Sequence, residues 1–263
     1  MTALAGSAMP VQVGLLAGRA VRRILRNPAQ LVFPIVFPLV LLAVNASGLD
    51  AATKLPGFPS ASYLDFALAI PFMQGALFAA LNGGQDLARD IEGGFLDRLA
   101  MTPMSGAALL AGQLGGALFM GVVSAVLYLA VGVAFGAGVV TGAAGALVLL
   151  LLAIAISFAF ACFGTFVALR AGSGEAVQGF FPLFFVLLFL SSAFFPRDLI
   201  EHEWFRVIAT YNPVSYMVEG LRSLVIAGWD GQALAQAFGI SAVAIAVFLT
   251  LSSRALRTRL VRT

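Results

Sequence analysis

Read for apolar and polar positions, the chain alternates between long uncharged runs and short charged punctuation. Leu31–Leu49 contains no charged residue. As a helix its 19 residues reach about 28 Å, close to the hydrocarbon thickness of about 30 Å. Comparable apolar segments follow at about 63–84, 107–135, 143–169, 180–195 and 233–251. The third and fourth form one tract, Ala107–Leu169, divided by the glycine-rich turn from Gly136 to Gly142. Gly112/Gly116 and Gly132/Gly136 carry the small-xxx-small spacing that lets helix backbones approach closely. Pro34 and Pro38 fall in the first turns of the first run, where missing amide donors matter least or introduce a bend.

Two stretches have helical periodicity without the apolar content of a span. Val11–Arg26 places Val13, Leu16, Ala20 and Ile24 on one face and Arg19, Arg22, Arg23 and Arg26 around the other, the pattern of a helix lying in a headgroup layer. Asn27-Pro28 ends it. Pro196–Gly231 is too charged to cross and too apolar for a plain loop. Its apolar residues recur at helical spacing, predicting two short amphipathic helices separated by Asn212-Pro213 and dipping into the outer leaflet. The expected fold is an all-α integral membrane protein, one transmembrane domain over residues 1–263 with six spans.

Composition agrees: 61% of the residues are hydrophobic and 10% charged, against about a quarter charged in a soluble domain. Charge distribution then sets the orientation. Arg19, Arg22, Arg23, Arg26, Arg89, Arg98, Arg170, Arg254, Arg257, Arg259 and Arg262 fall on one side of the six-span arrangement, and Lys54, Arg197, Arg206 and Arg222 on the other. Basic residues accumulate on the cytoplasmic side, so a multi-pass protein of the cytoplasmic membrane with both termini inside is expected. The net charge of +3 resides in arginine clusters flanking spans, which argues against nucleic acid as a partner. Cys162 is the single cysteine, within an apolar run, and reads as a small core residue. Cysteine metal clusters and intramolecular disulfides are thereby excluded.

Candidate chemistry concentrates in the charged stretch between the second and third spans. Glu92-Gly93-Gly94-Phe95-Leu96-Asp97-Arg98-Leu99-Ala100-Met101-Thr102-Pro103 predicts a short helix with Phe95 and Leu99 pointing away from the membrane among Glu92, Asp97 and Arg98. Thr102-Pro103 ends it. By composition alone the stretch reads equally as a solvated loop. Glu219 and Arg222 stand at i, i+3 and are expected to pair across one helical turn. Asp65 reads as an interfacial or loop-facing carboxylate, Glu175 as a helix-start residue, His202 as a surface residue without a second metal ligand, and Ser191 and Ser192 as hydroxyls with no base nearby. No metal site is expected. The external group Asp198, Glu201, His202 and Glu203 lacks a catalytic spacing, which disfavours a membrane-embedded enzyme.

The sequence EGGFLDRLAMTPMS, Glu92–Ser105, resembles the cytoplasmic coupling-loop motif of ABC-2 type transporter permeases, in particular the daunorubicin-resistance (DrrB-like) exporter branch. Arg26-Asn27-Pro28 leading to Pro34 and Pro38 resembles that family's connecting helix and first span; SSAFFP (Ser191–Pro196) resembles the end of the fifth span, and NPVSYMVEGLRSL (Asn212–Leu224) the external re-entrant region. The order and spacing of these stretches cover most of the chain. The resemblance implies a permease that moves a drug, lipid or lipid-linked glycan outward and couples to separate ABC ATPase subunits through Glu92, Phe95, Asp97, Arg98, Leu99, Thr102 and Pro103. It also implies an external gate or re-entrant region at Asn212, Pro213, Tyr216, Glu219 and Arg222, and pairing with a second permease copy or a homologous permease. Arg19, Arg22, Arg23 and Arg26 would anchor the connecting helix among membrane lipids. The chain lacks G-x-x-x-x-G-K-[ST], so it is expected to hold no cofactor itself, with ATP and Mg²⁺ on the partner. The alternative is an ATP-independent secondary transporter or channel, which inverted repeats and ionisable residues at the bilayer midplane would favour.

Overall fold

The computed structural model describes residues 9–100 and 105–260. The described residues fold into helices α1 (Met9–Leu25), α2 (Pro28–Gly48), α3 (Tyr63–Ala67), α4 (Ala69–Glu92), α5 (Phe95–Ala100), α6 (Gly106–Ala134), α7 (Gly142–Ala171), α8 (Gly174–Gly179), α9 (Phe181–Phe189), α10 (Glu203–Tyr211), α11 (Pro213–Arg222) and α12 (Gly231–Leu260). Five helical segments among the described residues are long and apolar enough to cross a membrane: Pro28–Gly48, Tyr63–Glu92, Gly106–Ala134, Gly142–Ala171 and Gly231–Arg259.

The expected fifth span, 180–195, takes a different form. It is a broken apolar helix, Gly174–Phe189, interrupted at Phe180 where Gly179 precedes and Pro182 follows. Sixteen helical residues reach about 24 Å, short of the hydrocarbon thickness. The turn from Leu190 to Pro196 then replaces the helix that the apolar run suggested. The last span is longer than expected. Asp230 starts it by accepting from the amides of Gln232 and Ala233 at 3.0 and 2.9 Å, and it continues through Arg254, Arg257 and Arg259.

The Tyr63–Glu92 segment is the centre of the bundle. In its most apolar stretch 83% of residues are buried, against 17% for α2 and 11% for α12. Helix α7 covers one side of α4, and the two backbones meet at glycines. A Cβ on Gly164 would fall 2.1 Å from the Ala80 carbonyl oxygen, and one on Gly84 2.8 Å from the Gly164 carbonyl oxygen. Helix α6 covers another side. The Gly112/Gly116 spacing serves a contact with α1: Cβ atoms there would meet those of Leu16 and Ala20 at 2.3 and 2.8 Å.

Helix α2 begins at Pro28, earlier than the sequence suggested, so Pro34 and Pro38 lie inside it. Each proline removes a donor and orphans the carbonyl four residues back. Both orphans are answered from neighbouring helices. Asn82 Nδ2 donates to Gln30 O at 3.4 Å, and the Tyr128 hydroxyl donates to Pro34 O at 2.5 Å. Gly75 makes room for the second contact, since a Cβ there would stand 2.7 Å from the Tyr128 ring. The proline pair therefore fixes α2 to α4 and α6 through hydrogen bonds that an unbroken helix would not offer.

Adding one methyl group at Gly164 should separate α4 from α7, whereas Gly14, with open space around it, should accept alanine. The expected loss for Gly164→Ala is about 1–3 kcal/mol, the usual range for overpacking. Thermal unmasking of the buried Cys162 to a thiol-reactive fluorophore reads it; equal midpoints for Gly164→Ala and Gly14→Ala would contradict the close contact.

Candidate functional site

Two polar clasps sit at opposite ends of the Tyr63–Glu92 segment. At the arginine-rich end, α1 lies across α4 and α5. Asp86 and Asp90, at i and i+4 on α4, face Arg19 and Arg23, at i and i+4 on α1. Arg19 holds Asp90 bidentately at 2.9 and 3.0 Å. Arg23 reaches Asp90 at 3.3 Å and Asp86 at 3.5 Å, and Arg89 reaches Asp86 at 3.4 Å. Both carboxylates are nearly buried, so they need these cations. The mirrored spacing of the two pairs was the available signal in the sequence.

The Arg19 guanidinium also lies 3.9 Å over the Phe95 ring. This changes the expected orientation of Phe95. It is turned into the bundle beside buried Leu96, because a cation and an apolar cluster are there to receive it. Glu92 does not project freely either: its Oε1 accepts from the Gly174 amide at 3.0 Å, tying the end of α4 to the start of α8. Glu175, on the first turn of α8, occupies the helix-start position expected of it. Arg98 is exposed and donates to Gly93 O at 3.2 Å. Asp97 and Leu99 lie on α5, and Thr102 and Pro103 lie outside the described residues. Of the four arginines in and just after α1, Arg19 and Arg23 are thus engaged within the protein, while Arg22 and Arg26 are exposed. Arg259 completes this end by donating to Leu169 O at 2.5 Å, near the carboxyl terminus of α7.

At the opposite end, α11 presents Asn212, Ser215, Glu219 and Arg222, which fall on one helical face. Together they grip the Ser191–Pro196 turn. Asn212 Nδ2 donates to Leu187 O and Leu190 O at 2.6 and 3.1 Å, while its Oδ1 caps α11 by accepting from the Val214 amide. Pro213 occupies the first position of α11, where it needs no donor. Ser215 Oγ accepts from the Ser192 amide at 3.0 Å, and the Ser192 hydroxyl donates to Glu219 Oε1 at 2.8 Å. Ser192 is therefore a structural donor.

The expected Glu219–Arg222 pair does not form. Glu219 takes Arg197, in a bidentate contact with Nε at 2.6 Å from Oε1. Burial works against the Arg197 charge, but hydrogen bonding and attraction to Glu219 outweigh it and hold the guanidinium above its ordinary pKa. The same guanidinium lies 4.6 Å from the Tyr216 ring centre. Arg222, 6% exposed, points instead to carbonyl groups: Phe66 O at 3.0 Å, Ser192 O at 2.9 Å and Ala193 O at 2.7 Å, with its plane 3.6 Å over the Phe66 ring. The i, i+3 rule failed because the Phe66 carbonyl in α3 and the Ser192 and Ala193 carbonyls in the turn after α9 compete for a forked donor. Asp65 accepts from the Gly138 amide at 2.9 Å, as a loop-facing carboxylate should. His202 is exposed, and the described residues hold no group of three potential metal ligands.

With this geometry in place, the comparison with known families is decisive: the model of the ABC-2 type transporter family matches residues 11–226. The chain belongs to the ABC-2 type transporter family. As an ABC-2 protein it is a multi-pass membrane component of an ABC transporter, associated with the membrane and with an ABC ATPase. A search of curated proteins gave no match. The matched region runs through α11 and ends in the turn that follows it, so both ends of the Tyr63–Glu92 segment fall inside the ABC-2 region.

Neutralising Asp90 by Asp90→Asn should loosen α1, costing about 2 kcal/mol for the weakened charged hydrogen bonds, with faster protease cleavage between α1 and α2 as the readout. Unchanged cleavage would contradict the clasp.

Arg222→Lys and Arg222→Met should both destabilise the opposite end, since a single ammonium cannot reach three carbonyls in the same fork. The expected loss is about 3 kcal/mol or more, measured by Cys162 unmasking. A wild-type midpoint in either variant would overturn the account of Arg222.

Proposed function

We propose that this chain is the permease subunit of an ATP-driven exporter, carrying an amphipathic or hydrophobic molecule, such as a drug, lipid or lipid-linked glycan, outward across the cytoplasmic membrane. ATP and Mg²⁺ bind on separate ATPase subunits, and a second permease copy or a homologous permease completes the path. The drug-resistance branch of the family is the favoured relative.

The observation that carries this reading is the attachment of α5 to α1 and α4. Arg19 contacts both Asp90 and Phe95, and Glu92 joins α4 to α8. An ATPase pressing on α5 therefore acts on several helices together. Arg98, exposed on α5, and Leu99 on the same helix are the proposed docking residues, with Glu92, Phe95 and Asp97 shaping the segment and Thr102-Pro103 following it. Arg22, exposed on α1, and Arg26, exposed in the turn after it, are the proposed contacts with cytoplasmic headgroups. Asn212, Pro213, Tyr216, Glu219 and Arg222 form the external gate, because the α11 clasp holds the α9 turn against the start of the α3–α4 segment.

The test is a double substitution that leaves the Arg19–Asp90 clasp untouched. Arg98→Glu with Leu99→Asp, co-expressed with the cognate ATPase, should reduce co-purification at least about tenfold, the effect of losing one or two interface anchors. Transport in proteoliposomes should fall in parallel, with the permease still monodisperse. Retention of both the ATPase and transport would reject α5 as the docking element.

A further inference from the structure

A groove of about 660 Å³ runs between α6 and α12, with α7 at its floor. We infer that it holds one acyl chain of an anionic phospholipid from the cytoplasmic leaflet, with the lipid phosphate on Arg257. This rests on the reading that the arginine-rich end lies at the cytoplasmic headgroup level.

Shape supports the chain position. Leu110, Leu114 and Leu118 follow one another at four-residue spacing along α6, facing Leu249 on α12 and Phe158 on α7. From Ser105 to Leu118 the groove spans thirteen residues of rise, about 20 Å. One leaflet of hydrocarbon is about 15 Å deep, which leaves the remainder for the glycerol and phosphate. Leu118 is 40% exposed, so the deep end opens sideways to lipid.

Charge supports the headgroup position. The mouth is formed by Ser105, Ser253 and Arg257, and among the described residues no carboxylate lines the groove. Arg257 is exposed and has no ion-pair partner among the described residues, unlike Arg19, Arg23, Arg89 and Arg197. The Ser105 oxygen accepts from the Ala108 amide at 3.1 Å, leaving its own hydrogen to donate. A guanidinium and a hydroxyl at the mouth of an apolar slot suit a phosphodiester with a fatty tail. A lipid whose headgroup carries its own ammonium presents no net charge to Arg257, and so should be held less well.

Bromolipid quenching tests this on the full chain. Trp204 and Trp229 are the two tryptophans; with both replaced by Phe, Leu118→Trp reports on the groove and Leu151→Trp, on an exposed position of α7, on bulk lipid. The protein is placed in vesicles of equal phosphatidylglycerol and phosphatidylcholine, with bromine on the chains of one or the other. Phosphatidylglycerol should be preferred about fivefold at the Leu118→Trp reporter, the effect of one basic residue near a membrane surface, and not at the Leu151→Trp reporter. Arg257→Gln should bring the ratio to about one and Arg257→Lys should keep most of it. No preference with Arg257 in place, or a preference that survives Arg257→Gln, overturns the proposal. A reporter that neither lipid quenches overturns it too, and identifies the groove as covered by a second copy. The ATPase plays no part in this readout, so its outcome is separate from that of the co-purification experiment.

Discussion

The approach of α4 to α7 at Gly84 and Gly164 governs the arrangement of the bundle. Within lipid there is no hydrophobic gain in bringing two apolar helices together, so close packing and hydrogen bonding must decide which faces meet. A Cβ on Gly164 would be only 2.1 Å from a backbone oxygen, a distance that no side-chain rearrangement relieves. The contact brings two long backbones together and leaves α6 and α12 to pack around the pair. It also explains why the Tyr63–Glu92 segment is far more buried than its hydropathy requires.

That buried segment then carries polar attachments at both ends. Asp86, Asp90 and Glu92 receive α1 and α8 at one end; Asp65 and the Phe66 carbonyl receive the α6–α7 turn and Arg222 at the other. Asp90 and the Phe66 carbonyl, both buried, are matched by arginines from elements distant in sequence, while Glu92 and Asp65 accept exposed bonds from distant backbone amides. The two prolines of α2 work in the same way. Their orphaned carbonyls at Gln30 and Pro34 fix where Asn82 and Tyr128 must stand, so helix breakers become positional markers.

Much of this was legible in the sequence, and the unread parts have physical causes. The long runs gave α2, α4, α6, α7 and α12 because bilayer thickness sets a length that few other constraints imitate. The break at Asn212-Pro213 was equally plain, since capping asparagine and N1 proline act locally. The run at 180–195 misled because hydropathy registers apolar content but not the Gly179 and Pro182 interruption or the carbonyl-rich turn after Phe189. Phe95 was read as outward-facing because its neighbours in sequence are charged; its partner, Arg19, is 76 positions away. Glu219 and Arg222 were paired by proximity, whereas the preferences of Arg197 and of three carbonyls were invisible until the helices were assembled. Thr102 and Pro103 lie beyond what the described residues show.

The two clasps also differ in kind, and the difference bears on how the protein can move. The arginine-rich clasp is made of ion pairs whose cations are partly exposed, Arg19 having 43% of its side chain accessible. Each of its two carboxylates is shared by two guanidinium groups, Asp90 by Arg19 and Arg23 and Asp86 by Arg23 and Arg89. The opposite clasp is made largely of a buried guanidinium on backbone carbonyls, an arrangement that leaves three acceptors unsatisfied if it opens and so favours two discrete positions over gradual slippage. Between them lies a helical segment of 30 residues, about 45 Å long, held against α7 where Gly84 and Gly164 meet. A displacement applied at α5 would therefore enter the bundle through these shared ion pairs before reaching the rest of the segment. At its far end the segment is held by Arg222 and the Asn212–Glu219 face, whose buried hydrogen bonds would have to be given up together for the turn after α9 to move away.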